Sequence, residues 1–398
     1  MIFLVRKKAA IVGYGETPFS RARADKGEAV LSAEEYYAWA TELTLENSGL
    51  DKSDFDGEGL AVGGSEWPHS EIWSAEVAQN LGISPKLLIR SDHGGMSGVA
   101  LLIQATLAVH SGLVEKVLCV AADSPMSLQG PASRPWRYMI DFCRPFGMMG
   151  PNSMIAFILQ RYLYQYGIKP EHTGKIAVTQ RQHASMNPNA YLKTPMKMED
   201  YLNSRMIADP IRLLDCCILV NGGLAFVVAS QKEAKKITDN PVHVLGIGEA
   251  HNYLHGSRTR PDVTVTGIKP AAKKAFKMAR VRTRDVCFIE PYDDYTIIVL
   301  QQLEDLGFCK KGEVGRFVEK TDLSTKGKLP VNTGGGQLSA GQAGMAGGFL
   351  HVIEAVRQLR GEGGQRQVPD ADVGVVSGMG GLAYAVNLVN NGVVVFGN

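Results

Sequence analysis

The chain has 398 residues, of which 45% are hydrophobic and 21% charged, and its 42 basic and 40 acidic side chains leave a net charge of +2. That length implies two or three core-sized units, and that balance excludes disordered, collagen-like and coiled-coil chains. The charges are spread without long runs of either sign, so nothing points to nucleic acid as a partner.

In chain order, the apolar start Met1 to Val5 is too short for a signal peptide, and its charges, Arg6, Lys7 and Lys8, follow it instead of preceding it. No run of about 20 apolar residues suggests a membrane span. Ala9 to Glu16 reads as a buried strand running into a glycine turn, and Gly94-Gly95-Met96-Ser97-Gly98 opens a helix that ends by Gly112. An apolar strand, Val117 to Ala122, follows. Val242 to Glu249 then repeats the first strand, Ala343-Gly344-Met345-Ala346-Gly347 repeats the helix opening with an end at Gly361, and Val373 to Val376 repeats the second strand. Three elements recurring in one order predict a duplicated α/β chain, with halves at 1–238 and 239–398. The stretch from about 126 to 215 has no counterpart and is expected to be an insertion lying over the site.

Gly13-Tyr14-Gly15 lacks the third glycine and the acidic ribose ligand of a dinucleotide-binding turn. The 6 cysteines, at 119, 143, 216, 217, 287 and 309, make no C-x-x-C pair and no zinc-ligand spacing. Reduced thiols, no metal and a cytoplasmic setting are the expectation. Arg134, Arg137 and Arg144 stand among Trp136, Tyr138 and Phe142, a mixture suited to a nucleotide with phosphates. His93, with Asp92 before it, opens the first repeated helix, and the repeat as read pairs it with Gln342.

Four further segments carry a family resemblance. Arg181-Gln182-His183-Ala184-Ser185-Met186-Asn187-Pro188, Asp209-Pro210-Ile211-Arg212-Leu213-Leu214-Asp215-Cys216-Cys217, Glu290-Pro291-Tyr292-Asp293-Asp294-Tyr295-Thr296 and Leu359-Arg360-Gly361-Glu362 resemble, in order, motifs of the sterol-carrier branch of the thiolase superfamily. The resemblance implies two βαβαβαββ halves in five layers (αβαβα), whose five-stranded sheets enclose a pair of buried helices. It also implies a homodimer, a coenzyme A thioester as substrate with no permanently bound cofactor, and a small OB-fold, zinc-ribbon partner protein.

The chain departs from that family where acyl transfer is done. Gly95-Met96-Ser97-Gly98 stands at the family's C-x-S-G, Gly341-Gln342-Ala343 at its G-H-P, and Val376 and Ser377 near its second cysteine. None of the remaining cysteines fits a nucleophile. The glycine-rich run from Asn332 to Gly341 keeps a backbone that can approach a thioester closely.

Thioester chemistry without a nucleophile is possible as a retro-aldol cleavage, which needs a base for the β-hydroxyl, an oxyanion site for the enolate and an acid to protonate it. Tyr292 stands where the sterol-carrier branch has a histidine, and thiolase-like aldolases of steroid side-chain degradation are similar in having tyrosine there. A second tyrosine of those aldolases is replaced here by Gln342. Tyr292, His93, Asp294 and Tyr295 are therefore the candidate acids and bases. Gln342, Asn332, Gly95, Ser377 and Gly380 are the candidate oxyanion and substrate positions. An acyltransferase using Ser97 or Ser377, and a non-catalytic acyl-CoA-binding subunit, are the competing expectations.

Overall fold

A computed structural model describes residues 5–64, 72–127, 139–148, 150–253, 262–383 and 387–398. The first half runs β1 (Ala9–Glu16), α1 (Ala33–Ser48), β2 (Gly59–Gly63), α2 (Trp73–Leu81), β3 (Leu87–Ser91), α3 (Ser97–His110) and β4 (Lys116–Asp123). Helices α4 (Pro151–Tyr166), α5 (Pro170–Ser185) and α6 (Met198–Leu202) and a hairpin of β5 (Met206–Ala208) and β6 (Ile211–Arg212) come next, before β7 (Gly222–Ser230) and α7 (Gln231–Ile237). The second half runs β8 (Val242–His251), α8 (Ile268–Ala279), β9 (Phe288–Pro291), α9 (Thr296–Asp305), α10 (Val314–Lys320), α11 (Gly336–Ser339), α12 (Gly347–Leu359), β10 (Val373–Ala383) and β11 (Asn387–Gly397).

The strand order is β3-β2-β4-β7-β1-β8-β11-β10-β9. The two halves are thus mirrored in sequence order about the β1/β8 pair, where Ala10 lies opposite His243 and Ile11 opposite Val242. The sheets of the two expected halves run on through this join. The second half's fifth strand is reduced to one parallel bridge between Ile289 and Val331. The reason is local: Pro330 precedes Val331, Asn332 is left-handed at φ +50°, and Gly334 follows, so the chain turns away after one pairing.

Strand alternation sorts the side chains into layers. Val376, Val394 and Phe396 face the middle layer with α3 and α12, while Val375, Val393 and Val395 face an outer layer with α8 and α9. In the first half Phe226 and Val228 face the middle and Val227 faces α1 and α2. The sequence of α3, Ser-Gly-Val-Ala-Leu-Leu-Ile-Gln-Ala-Thr-Leu-Ala-Val-His, has no broad polar face, as a helix buried over most of its surface requires. Each large apolar side chain placed there contributes about 1.5–3 kcal/mol.

The middle helices cross where neither has a side chain. A Cβ on Gly98 would lie 2.7 Å from the carbonyl carbon of Gly348, and one on Gly348 would lie 2.3 Å from the Gly95 oxygen. This crossing corrects the repeat register. Gly94 (φ +60°) and Gly344 (φ +49°) begin matching 3-10 turns, and Ser97 and Gly347 begin the two helices. His93 therefore corresponds to Ala343, and Asp92 to Gln342. The shared Gly-Met letters at 95–96 and 344–345 had set the repeat one residue out of step.

Candidate active site

The centre of the site is the opening of α3. Its most telling contact is between Gly95 and Tyr292: a Cβ built on Gly95 would fall 2.0 Å from Cζ, 2.2 Å from the hydroxyl and 2.3 Å from Cε2 of Tyr292. The tyrosine ring thus occupies the space that any side chain at position 95 would need. Tyr292 is 4% exposed and follows β9. Its N–H donates to the Ser377 carbonyl at 2.9 Å, and its own carbonyl accepts from Gln302 Nε2 at 2.7 Å.

Gly380 belongs to the same cluster. A Cβ there would meet the His93 oxygen at 2.0 Å and the Gly95 nitrogen at 2.6 Å, so the β10 backbone packs directly on the residues opening α3. His93 is half-buried, its Nδ1 lies 2.6 Å from Ser91 Oγ, and its N–H donates to Ser97 Oγ at 3.1 Å. Burial, and then the neighbouring His251 ring at 5.2 Å, lower its pKa and favour the neutral imidazole. In the tautomer whose Nδ1–H donates to Ser91 Oγ, Nε2 is the unprotonated nitrogen of the neutral ring.

Gln342 enters from the second half. Its backbone bonds to Ile218 and Val220, its Cγ would lie 3.1 Å from a Cβ on Gly347, and its Oε1 has no hydrogen-bond partner among the described residues. The side chain therefore lies against the start of α12, near the helix crossing.

Ser377 and Ser97 border this cluster, and the remaining candidates stand apart from it. Ser377 is buried and donates to Gln302 Oε1 at 2.8 Å, so with Gln302 it braces the Tyr292 backbone. Ser97 is buried and accepts from His93. Asn332 is fully buried, its carbonyl accepts from His183 Nδ1, and neither amide atom of its side chain has a partner among the described residues. Tyr295 donates to Asn152 on α4; burial, then Cys217, raise its pKa well above the ordinary tyrosine value, which keeps it a donor. Asp294 is pushed up to about 8 by burial and then by the Asp293 carboxylate, so it is protonated near neutrality. Its carbonyl accepts from the Cys217 N–H. Arg144 is exposed on the turn Arg144–Phe146, and Arg134 and Arg137 lie outside the described residues.

Thiol chemistry finds no support in the cysteines' surroundings. Burial raises the Cys119 thiol, and it pushes Cys216 and Cys309 up to about 12.

Asp293, within the family-like motif, and residues of α12 that escaped the sequence reading surround Tyr292. Asp293 accepts at Oδ1 from the Gln337 N–H (2.9 Å) and at Oδ2 from the Leu338 N–H (3.3 Å), capping the short α11. His351 of α12 lies 3.1 Å from Asp293 through Nε2 and meets the Tyr292 ring edge to face. Beyond them Glu290 is raised well above the carboxylate range by burial and then by Glu354. Burial works against Glu354 too, but the Arg357 and Arg366 guanidiniums hold it down at about 2. Their signal in the sequence was a histidine, a glutamate and an arginine inside an otherwise apolar helix.

Comparison with known proteins places the chain in a family. Residues 248–395 match the family described as thiolase C-terminal domain-like. The chain is 33% identical over 391 residues to a steroid side-chain-cleaving aldolase of Thermomonospora curvata, covering 94% of this chain and 95% of that protein. It is 32% identical over 351 residues to an acetyl-CoA acetyltransferase of Methanothermobacter thermautotrophicus, covering 85% and 88%. A solved Ltp2-ChsH2(DUF35) aldolase superposes with a TM-score of 0.85 at 31% identity, over 99% of this chain and 98% of that one.

Proposed function

The chain belongs to the thiolase superfamily, in its sterol-carrier-like aldolase branch, and we propose on that footing that it cleaves the Cα–Cβ bond of a bulky, steroid-sized β-hydroxyacyl-CoA by a retro-aldol reaction without an acyl-enzyme. The observation that carries this reading is the Tyr292 ring in the space above Gly95. A site built that way carries a phenol, which can move a proton, in the space where the family's thiolate takes up the acyl group.

Neutral His93 takes the proton of the β-hydroxyl through Nε2 as the Cα–Cβ bond breaks, and the β-carbon leaves as a carbonyl compound. The bond's electron pair passes into the thioester as an enolate. Its oxygen faces the N-terminus of α3, where the helix dipole favours negative charge, and the Gln342 amide. Tyr292 then protonates Cα, and the proton held on His93 returns to the phenolate through solvent, so protons balance over the cycle. Arg134, Arg137 and Arg144 are proposed to meet the coenzyme A phosphates, and Asp294, Tyr295 and Asn332 to shape the pocket.

A homodimer, a cytoplasmic location and an OB-fold, zinc-ribbon partner belong to the same reading; the pairing named in the solved Ltp2-ChsH2(DUF35) aldolase supports a partner protein. No described helix is long and apolar enough to cross a membrane.

The test is to supply tertiary and secondary β-hydroxyacyl-CoA thioesters, with and without a co-encoded zinc-ribbon protein, and measure released carbonyl compound and shortened acyl-CoA. Turnover without a trapped acyl-enzyme is expected, with a loss of about 10²-fold or more in Tyr292→Phe. CoA-dependent cleavage of β-ketoacyl thioesters would overturn the reading in favour of acyl transfer. Thioester binding without turnover would favour a carrier.

A further inference from the structure

We propose that His351, clamped by Asp293, is a positioning residue for the reaction: it fixes the tilt of the Tyr292 ring over Gly95. The inference rests on Tyr292 taking part in the reaction as described above.

The Tyr292 backbone is held on both sides, by Ser377 and by Gln302. Rotation about its two side-chain torsions is set by what the ring touches. Gly95 offers a flat backbone surface that limits how near the ring can come, without selecting one rotation. His351 supplies the second contact, with ring centroids 6.1 Å apart and planes at 65°, an edge-to-face arrangement that aromatic pairs prefer.

An aromatic neighbour can hold a ring only if it is itself held. His351 is 1% exposed, and its Nε2 lies 3.1 Å from Asp293 Oδ1 and 3.3 Å from Gln337 Nε2. Asp293 is in turn fixed by the Gln337 and Leu338 N–H groups. It is also the residue next to Tyr292, so a single carboxylate ties the chain bearing the phenol to the helix bearing the imidazole.

Simple packing does not account for this choice of side chain. His351 Nδ1 is buried with no hydrogen-bond partner among the described residues, a cost that a leucine in the same place would not carry. Placement of the reacting ring does account for it, because small misplacements of a reacting group lower rates steeply.

A double-mutant cycle on the full-length enzyme tests this, with steady-state kinetics on the best β-hydroxyacyl-CoA of the panel. His351→Ala is expected to lower kcat about tenfold or more while KM stays within about twofold. In a Tyr292→Phe background the same change should cost less than about twofold, because a residue acting through Tyr292 has nothing left to position. Additive losses, or a loss seen in KM alone, would overturn the proposal. Should His351→Ala fail to fold, His351→Phe and His351→Leu carry the comparison: both fill the core, but only phenylalanine offers a ring edge. A higher kcat in His351→Phe supports the proposal, and equal rates overturn it. Full activity in Tyr292→Phe alone would instead sink the reaction scheme beneath it, an outcome read in that arm by itself.

Discussion

The two helix openings that the internal duplication relates have been put to opposite uses. At the second, Asp123 comes from the end of β4: a Cβ on Gly344 would lie 2.1 Å from its Oδ2, which accepts from the Met345 N–H at 3.3 Å. That opening is already filled by a buried carboxyl group. At the first, the groups packed on the glycines are uncharged, the Tyr292 phenol over Gly95 and the backbone of Gly380 and Gly381 against Gly94, and the surroundings of His93 favour its uncharged ring. The same fold unit thus gives one helix end to stability and keeps the other for negative charge that develops during a reaction.

The sharpest way to break this comparison is to put a side chain back at position 95. Gly95→Ala places a Cβ where the Tyr292 ring now lies, and the ring has to move. We expect kcat to fall by about 10²-fold, with a loss of about 1–3 kcal/mol in stability, measured by steady-state turnover and urea unfolding. Gly95→Cys should fare no better and should yield no CoA-dependent cleavage of β-ketoacyl thioesters. An active Gly95→Ala enzyme would mean that the ring position is incidental.

A change at the other helix end should separate stability from activity. Asp123→Asn replaces the carboxyl group while leaving the shape, and should destabilise the fold by about 1–2 kcal/mol while kcat changes by less than about threefold. A collapse in kcat with stability retained would show that both helix ends serve the reaction.

How legible all this was in the sequence depended on the kind of interaction. The duplication showed because strands such as Ala9–Glu16 and Val242–His251 must be apolar to lie inside the sheet, and that demand is local. The absence of a nucleophile was equally legible, since Gly95 and Gln342 are single letters at recognisable places. The register between the halves was not: it is set by the contact of Gly98 with Gly348, which are far apart in the chain, and the coincident Gly-Met letters pulled the reading one residue away. Ser377 read as a substrate residue because its hydroxyl gives no hint that Gln302 claims it. His351 was missed because its partners, Asp293 and Tyr292, meet it only in three dimensions.

The finest test concerns the charge state at the first helix end. His93 is held below its ordinary pKa by burial and then by His251, against the smaller pull of Glu249 and Asp92. A histidine with a depressed folded pKa binds fewer protons than the unfolded chain as pH falls, so its contribution to stability is lost on acidification below the ordinary value of about 6.5. For the reaction, the base is the neutral ring, so kcat/KM should rise with pH through an acid limb lying below about 6.5. His251 sits on β8 with Nδ1 3.0 Å from Asn390 Oδ1 and Nε2 3.7 Å from Glu249. His251→Gln removes the repulsion that disfavours a charged His93, and the acid limb should move upward, toward the value of a free histidine, with the plateau rate little changed. A limb that does not move, or one that already lies above about 6.5, would mean that the proton of the β-hydroxyl goes elsewhere. Tyr292 would then have to serve as base as well as acid, and the first helix end would owe its neutrality to the phenol alone.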